Sequence, residues 1–328
     1  MKHPSNLFLR LAVLAVALSS VLSVAYAQTY PTRPVRLVVG FAPGGPTDVL
    51  SRVIAPRFGE MLGQPVIVDN RAGASGIIGA ELVARSAPDG HTLLFGDLTF
   101  VVNPSLFKSL PFNPRTDFLP VGYAGSTPQV LVVPVSLEPK SAAQFVKWAK
   151  DRPGQLSYGS AGNGSPPHLA TELFKLAYGL DIQAVHYKGT GLAFPELLAG
   201  RLQMMITSST VSKPYIDSGK VRALAISGTK RSAGLPTVPT FAEAGVPLPD
   251  LDFGAWWGLY APGGVPRDIA AKLNEVLART LAQPDVQERL ATIQIETMTM
   301  TPEAFAKFVQ EQAAKWAGVI QRAKIVAD

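Results

Sequence analysis

Apolar positions along the chain switch repeatedly between a period near two and a period near 3.6. Val35–Phe41 is a short, mostly apolar run with three valines that predicts a strand. After Ala42-Pro43-Gly44-Gly45-Pro46, the residues Val49, Leu50, Val53, Ile54, Phe58, Met61 and Leu62 recur at helical spacing. Pro56 falls inside that pattern and is expected to kink the helix or end its first half. Pro65–Asp69 and His91–Gly96 predict strands on either side of a helix over Ile77–Ser86. Beyond Pro128, strands are predicted over Val130–Val133, Leu156–Ser160, Ile182–Tyr187, Leu202–Ile206 and Val221–Ser227. Helices are predicted over Ala142–Lys150 and His168–Tyr178, and between the later strands. Pro236–Asp250 is proline-rich and reads as an irregular connection. Phe253–Tyr260 returns as a strand, and the rest is mostly helical, over Arg267–Ala282, Asp285–Thr292 and Pro302–Ala323. Strands alternating with helices of ten or more residues mean βαβ units, hence an α/β fold with a mainly parallel sheet.

The first residues break this pattern. Lys2 and Arg10 form a short basic region, Leu11–Val24 is apolar, and Ala25-Tyr26-Ala27 supplies a small-x-small cleavage site. That order predicts a secretory signal peptide over residues 1–27, with Gln28 as the mature N-terminus. Ser19, Ser20 and Ser23 dilute the apolar run below the ~18–20 residues of a membrane anchor. Cleavage removes two basic residues and no acid, so the formal charge falls from +6 to +4. The protein is therefore expected in the periplasm, soluble and mildly basic.

Composition narrows the classes further. A hydrophobic fraction of 47% over 328 residues supports real cores and suggests two domains. The absence of cysteine excludes a disulfide scaffold, thiolate metal sites and a cysteine nucleophile. Basic residues are spread out, the densest spot being Lys230-Arg231, and aromatics do not interleave with them, so no nucleic-acid partner is expected.

Three loops join a strand end to a helix start and are rich in glycine. They are Phe41–Asp48, with Ala42, Gly44, Gly45 and Thr47; Gly159–Ser165, with Ser160, Ala161, Gly162, Asn163 and Gly164; and Tyr187-Lys188-Gly189-Thr190-Gly191. In open α/β sheets ligands bind beyond the carboxyl ends of the strands. A helix start there offers unpaired N–H groups and about half a positive charge, which suits an anion. Glycines let the backbone come close to it. Taken singly, Thr47, Asp48 and Ser165 read as plain helix caps and Lys188 as a solvated cation. Two such loops in separate halves favour anion binding. Asp97 and Ser126 lie at further strand ends. Trp256 and Trp257 alternate to opposite faces of their strand, with core packing as the default and one of them able to reach a ligand cleft if that strand also forms a hinge.

Enzymatic signatures are weak. Ser165 and His168 are three apart and suggest a hydrolase dyad, yet no G-x-S-x-G elbow surrounds any serine. No Walker loop or complete dinucleotide fingerprint is present, and His91, His168 and His186 lack metal-helix spacing. No cofactor and no metal are expected.

An ordered set of motifs then resembles a known family. It includes Tyr30-Pro31-Thr32-Arg33-Pro34-Val35-Arg36, Pro43-Gly44-Gly45-x-x-Asp48, Val68-Asp69-Asn70-Arg71-Ala72-Gly73, Ala87-Pro88-Asp89-Gly90-His91, Leu156-Ser157-Tyr158-Gly159-Ser160, Tyr187-Lys188-Gly189 and Ala261-Pro262-Gly263-Gly264-Val265-Pro266. Together they are similar to the extracytoplasmic solute receptors of tripartite tricarboxylate transporters, the Bug-type receptors. The resemblance implies a type II periplasmic binding protein: two α/β lobes with a hinge and a ligand cleft between them, and no enzyme activity. It implies one lobe from residues 28–127 and 253–328 and another from 128–252, with crossings near Pro128 and Asp252. It also implies a small carboxylate ligand (dicarboxylate, acidic amino acid or aromatic acid), membrane permease partners and a monomer, with a sensor for a two-component system as the alternative. The implied ligand-binding set comprises Phe41, Ala42, Gly44, Gly45, Thr47, Asp48, Asp97, Ser126, Ser160, Ala161, Gly162, Asn163, Gly164, Ser165, His168, Tyr187, Lys188, Gly189 and Thr190. The chain departs from the family pattern at Pro166-Pro167, His186, Glu196, Gln203 and Thr207. The last two stand where acids are usual, so the part of the pocket that selects the ligand is expected to differ. Gly45→Val and Gly164→Val are expected to abolish binding without unfolding the chain.

Overall fold

The computed structural model of the protein describes residues 30–251 and 254–325. The segment read as a signal peptide and the crossing near Asp252 lie outside the described residues. Among those described, no helix is long and apolar enough to cross a membrane.

Ten strands form the framework: β1 (Val35–Val39), β2 (Val66–Asn70), β3 (Thr92–Asp97), β4 (Phe118–Thr127), β5 (Gln129–Pro134), β6 (Leu156–Ser160), β7 (Ile182–His186), β8 (Met205–Ser208), β9 (Val221–Ile226) and β10 (Ala255–Pro262). Among the described residues ten α-helices accompany them: α1 (Pro46–Leu62), α2 (Ile77–Ala84), α3 (Leu98–Leu106), α4 (Ala142–Lys150), α5 (Pro166–Tyr178), α6 (Thr190–Leu198), α7 (Ser209–Asp217), α8 (Arg267–Leu281), α9 (Pro284–Thr292) and α10 (Pro302–Arg322).

The first sheet has the order β2-β1-β3-β10-β4, with β1 parallel to β2 and β3, and β10 antiparallel to both β3 and β4. A second sheet has the order β8-β5-β9 and is antiparallel; a third is the parallel pair β6-β7. A bridge between Tyr158 and Met204 joins β6 to the residue before β8. The sheets are thus mixed, where the alternating pattern predicts a mainly parallel one. The reason is topological. β4 ends at Thr127 and β5 begins at Gln129, so β5 enters the second sheet from its junction with the first; β10 re-enters the first sheet beside Thr127, with Ala255 opposite it. In these sheets β5 and β10 run away from that junction, and the strands paired with them run towards it.

Alternation along β1 fixes the layers. Val35, Leu37 and Val39 join a core with Leu50 and Phe58 of α1 and Leu273 and Leu277 of α8, while Val38 turns to the opposite core with Ala80 and Val83 of α2. Both faces of the first sheet are therefore covered, and Trp256 and Trp257 of β10 take one face each. Helix α1 runs unbroken through Pro56, which neither ends nor divides it. Val53, Ile54, Ala55 and Phe58 around the proline are buried, and that packing offsets the ~3 kcal/mol of an interior proline. Helix α3 has no counterpart in the predicted elements: its apolar run Leu98–Val102 carries no 3.6-residue signature.

Because β1, β3, β6, β7 and β8 all run towards the junction, the helices that follow them begin there. The starts of α1, α3, α5, α6 and α7 converge on one place.

Candidate functional site

A cavity lies where these helix starts meet. Gly45, Pro46 and Thr47 come from the start of α1, Asp97 caps α3, Pro166 and Pro167 open α5, Gly189 and Thr190 open α6, and Ser208 caps α7. Phe41, Ala161, Ala255 and Trp257 supply apolar walls, and Gln129 completes the lining from the start of β5. No described residue lining this cavity is lysine, arginine or histidine.

The helix starts differ in what they offer. Asp97 Oδ1 accepts the Thr99 N–H at 2.9 Å and Ser208 Oγ accepts the Thr210 N–H at 3.1 Å, so α3 and α7 carry their own side-chain caps. The starts of α1, α5 and α6 have none. Helix α5 opens with two prolines, which have no N–H to give. Helices α1 and α6 therefore hold the amide donors left for an anion.

Asp97 is fully buried. Besides Thr99, Oδ2 accepts from the Thr47 hydroxyl at 3.3 Å, and Thr47 accepts from the Trp257 indole N–H at 2.9 Å. Burial pushes the Asp97 pKa up to about 6 against the pull of these hydrogen bonds. Gln129 is 1% exposed; its Nε2 donates to Pro166 O at 3.2 Å, and its Oε1 has no partner.

Around the cavity the two halves of the chain touch through backbone. Ala42 N donates to Lys188 O at 3.0 Å. A Cβ built on Gly189 would lie 3.4 Å from Ala42 N, and one on Gly191 3.0 Å from Gly44 O. A wider cavity adjoins, sharing Phe41 and Ala161 and adding Ser75, Gly162, Asn163, His186, Tyr187 and Lys188.

Seven of the expected ligand residues line the inner cavity: Phe41, Gly45, Thr47, Asp97, Ala161, Gly189 and Thr190. Gly162, Asn163, Tyr187 and Lys188 line only the outer one. The others line neither. Ala42 makes the backbone contact just described. Gly44 N donates to Asp48 Oδ2 at 3.0 Å, and Asp48 Oδ1 accepts from Arg52 and Asn70, both at 2.9 Å. Burial raises the Asp48 pKa, but these hydrogen bonds outweigh it and hold the carboxylate below its usual range. Asp48 thus braces its loop from behind. Ser126 pairs through its backbone with Glu296. Ser160 Oγ lies 2.6 Å from His186 Nδ1.

Ser165 Oγ donates to Gly162 O at 2.7 Å, and His168 Nδ1 accepts the Gly164 N–H at 3.0 Å. Each is occupied in turning the loop, and no hydrogen bond joins them as a nucleophile and base require. Burial, with smaller contributions from His186 and Lys175, lowers the His168 pKa to about 3, so its ring stays neutral. Gln203 caps the Ser157 N–H and donates to Gly200 O, and neither it nor Thr207 lines either cavity.

Sequence patterns missed Gln129, Ser208, Pro166, Pro167 and Ala255 as lining residues and placed Trp257 in the core by default. For Gln129 a signal existed: it is the one polar residue opening an otherwise apolar strand, directly after Pro128. Trp257 is both core and wall, because its ring packs in the sheet while its N–H reaches Thr47.

Residues 50–325 match the tripartite tricarboxylate transporter family receptor, TctC. Protein BugT of Bordetella pertussis is 37% identical over 320 residues, 96% of this chain and 98% of BugT. The R. palustris protein Rpa4515, solved with adipate, superposes with a TM-score of 0.87 at 38% identity, covering 90% of this chain and 99% of that one. MatC from Rhodopseudomonas palustris, solved with bound malate, gives 0.84 at 36% identity over 89% of this chain and all of MatC. A two-lobed α/β fold with helix starts converging on one cavity is the architecture of periplasmic solute-binding proteins. The chain belongs to the TctC receptor family of tripartite tricarboxylate transporters.

Proposed function

We propose that this protein is exported to the periplasm and captures a small carboxylate in the cavity between its halves for delivery to a membrane permease. The reading rests above all on the uncapped starts of α1 and α6, which bring amide donors and positive dipole ends to one cavity with no competing side-chain cap. The likeness to proteins solved with adipate and malate supports it. Residues 28–127 and 253–328 form one lobe and 128–252 the other, and the crossings after Thr127 and before Ala255 act as the hinge. Exposed dipole ends contribute only ~0.3–1 kcal/mol each, and partly buried ones up to ~2. Micromolar binding needs ~8 kcal/mol, so several donors, apolar walls and closure act together.

Denaturing the purified protein and identifying the released small molecules by mass spectrometry, beside a thermal-shift screen of carboxylates, tests this. A ligand at a hundredfold over its Kd adds ~2.7 kcal/mol to apparent stability. A co-purified acid with a dose-dependent shift is the expected result. No released acid and no shift across a panel of mono- and dicarboxylates would rule the reading out.

A further inference from the structure

The cavity holds more than an anion requires. Its lining carries one ionisable group, Asp97, whose partners are all neutral: the Thr99 and Phe100 N–H groups at the start of α3 and the Thr47 hydroxyl. A buried carboxylate without a counter-charge is expensive, and such groups are paired in folded proteins. Gln129 lines the same cavity, 1% exposed and anchored through Nε2 to Pro166, and its buried carbonyl oxygen has no partner among the described residues. A carbonyl and a carboxylate are both acceptors, so the part of the ligand that meets them must donate. It must also be positive to relieve Asp97. A second carboxylate there would meet only acceptors and a like charge.

We propose that the ligand is a zwitterionic amino carboxylate, its carboxylate on the starts of α1 and α6 and its ammonium group on Asp97 and Gln129 Oε1. This rests on the carboxylate-receptor reading and narrows it, setting a neutral amino acid above a dicarboxylate. The burial that pushes Asp97 towards neutrality is what a neighbouring ammonium group would reverse. Of the remaining lining, Phe41, Pro46, Ala161, Pro166, Ala255 and Trp257 are apolar and suit an uncharged side chain.

Calorimetric titration of the purified protein with matched pairs tests the proposal: L-alanine against propionate, L-leucine against 4-methylpentanoate, and L-aspartate against succinate. In each pair the amino acid is expected to bind about tenfold or more tighter, since removing one partner of a buried charge pair weakens binding at least that much. Asp97→Asn keeps an acceptor for the Thr99 N–H and removes the charge. It is expected to weaken the amino acids and to tighten the plain acids, a reversal that a merely structural role would not produce. Gln129→Met should narrow each gap without reversing it. If the plain acids bind as tightly as their amino partners, the proposal falls while the carboxylate receptor stands. Binding by none of the six acids overturns both.

Discussion

The loops 41–48 and 160–168 look alike in sequence: each leaves a strand, passes through glycines and enters a helix whose first residue is proline. Their glycines do different work. Gly44 has φ +82° with nothing within 4 Å of a Cβ, and Gly45 faces the cavity at the uncapped start of α1. Gly164 instead holds φ +70° with Leu106 of the opposite half only 2.1 Å from where its Cβ would be. The first loop presents donors, and the second is a surface against which the other half closes. A glycine-rich strand–helix loop is thus a sign of close backbone approach, and what approaches it is decided elsewhere in the chain.

Substitutions sharpen the contrast. Gly164→Val meets both a left-handed backbone and the Leu106 side chain. It should cost about 3 kcal/mol or more, read by urea denaturation. Leu106→Ala in the same chain should recover part of that loss, and independent, additive effects would break the assignment of this loop to packing. The expectation that Gly164→Val leaves the fold untouched is therefore revised.

Asp97→Asn comes next. The Asp97 pKa of about 6 lies above its unfolded value, so the native state holds the proton more tightly and stability falls as pH rises from about 4 through 6. Removing the charge should stabilise the empty protein at pH 7 by up to ~3 kcal/mol, at ~1.4 kcal/mol per pKa unit, and by much less at pH 4. Equal gains at both pH values would show that Asp97 is not burdened by its burial.

His168 has the opposite sign. Its pKa of about 3 lies below the unfolded value, so stability is lost as pH falls below about 6.5, by ~2 kcal/mol at pH 5. His168→Gln can still accept the Gly164 N–H, and it should flatten that acid limb. An unchanged limb would place the proton elsewhere. The smallest effect on stability belongs to Gly45→Val. At φ −80°, ψ 166° a β-branched residue is at ease, and the nearest atom to its Cβ, Ala42 O, is at 3.6 Å. Urea denaturation should show a change within about 1 kcal/mol. Calorimetry should show ligand binding lost, because the branches would stand between the starts of α1 and α6.

Much of this was legible in the chain. The alternation of periods gave most strands and helices, with α4 and β6 at their observed bounds, but it missed β4 over Phe118–Thr127. The strand-end rule pointed to loops that do meet at the cavity. Helix α3 was not legible, since a run apolar on all sides has no period to read. Nor was the role of Asp48, whose carboxylate is spent on Arg52, Asn70 and Gly44.

The sequence by itself determined the elements, the family and the places where helices start, because periodicity, prolines and glycines act over a few residues at a time. Tertiary structure alone decided which starts face inward and which polar atoms are left without partners. Gln129 and Asp97 are separated along the chain, and only the meeting of β5 with the end of β3 makes them two acceptors in one enclosed space. Burial and missing partners are properties of that space, set by what surrounds an atom in three dimensions and not by its neighbours in the chain.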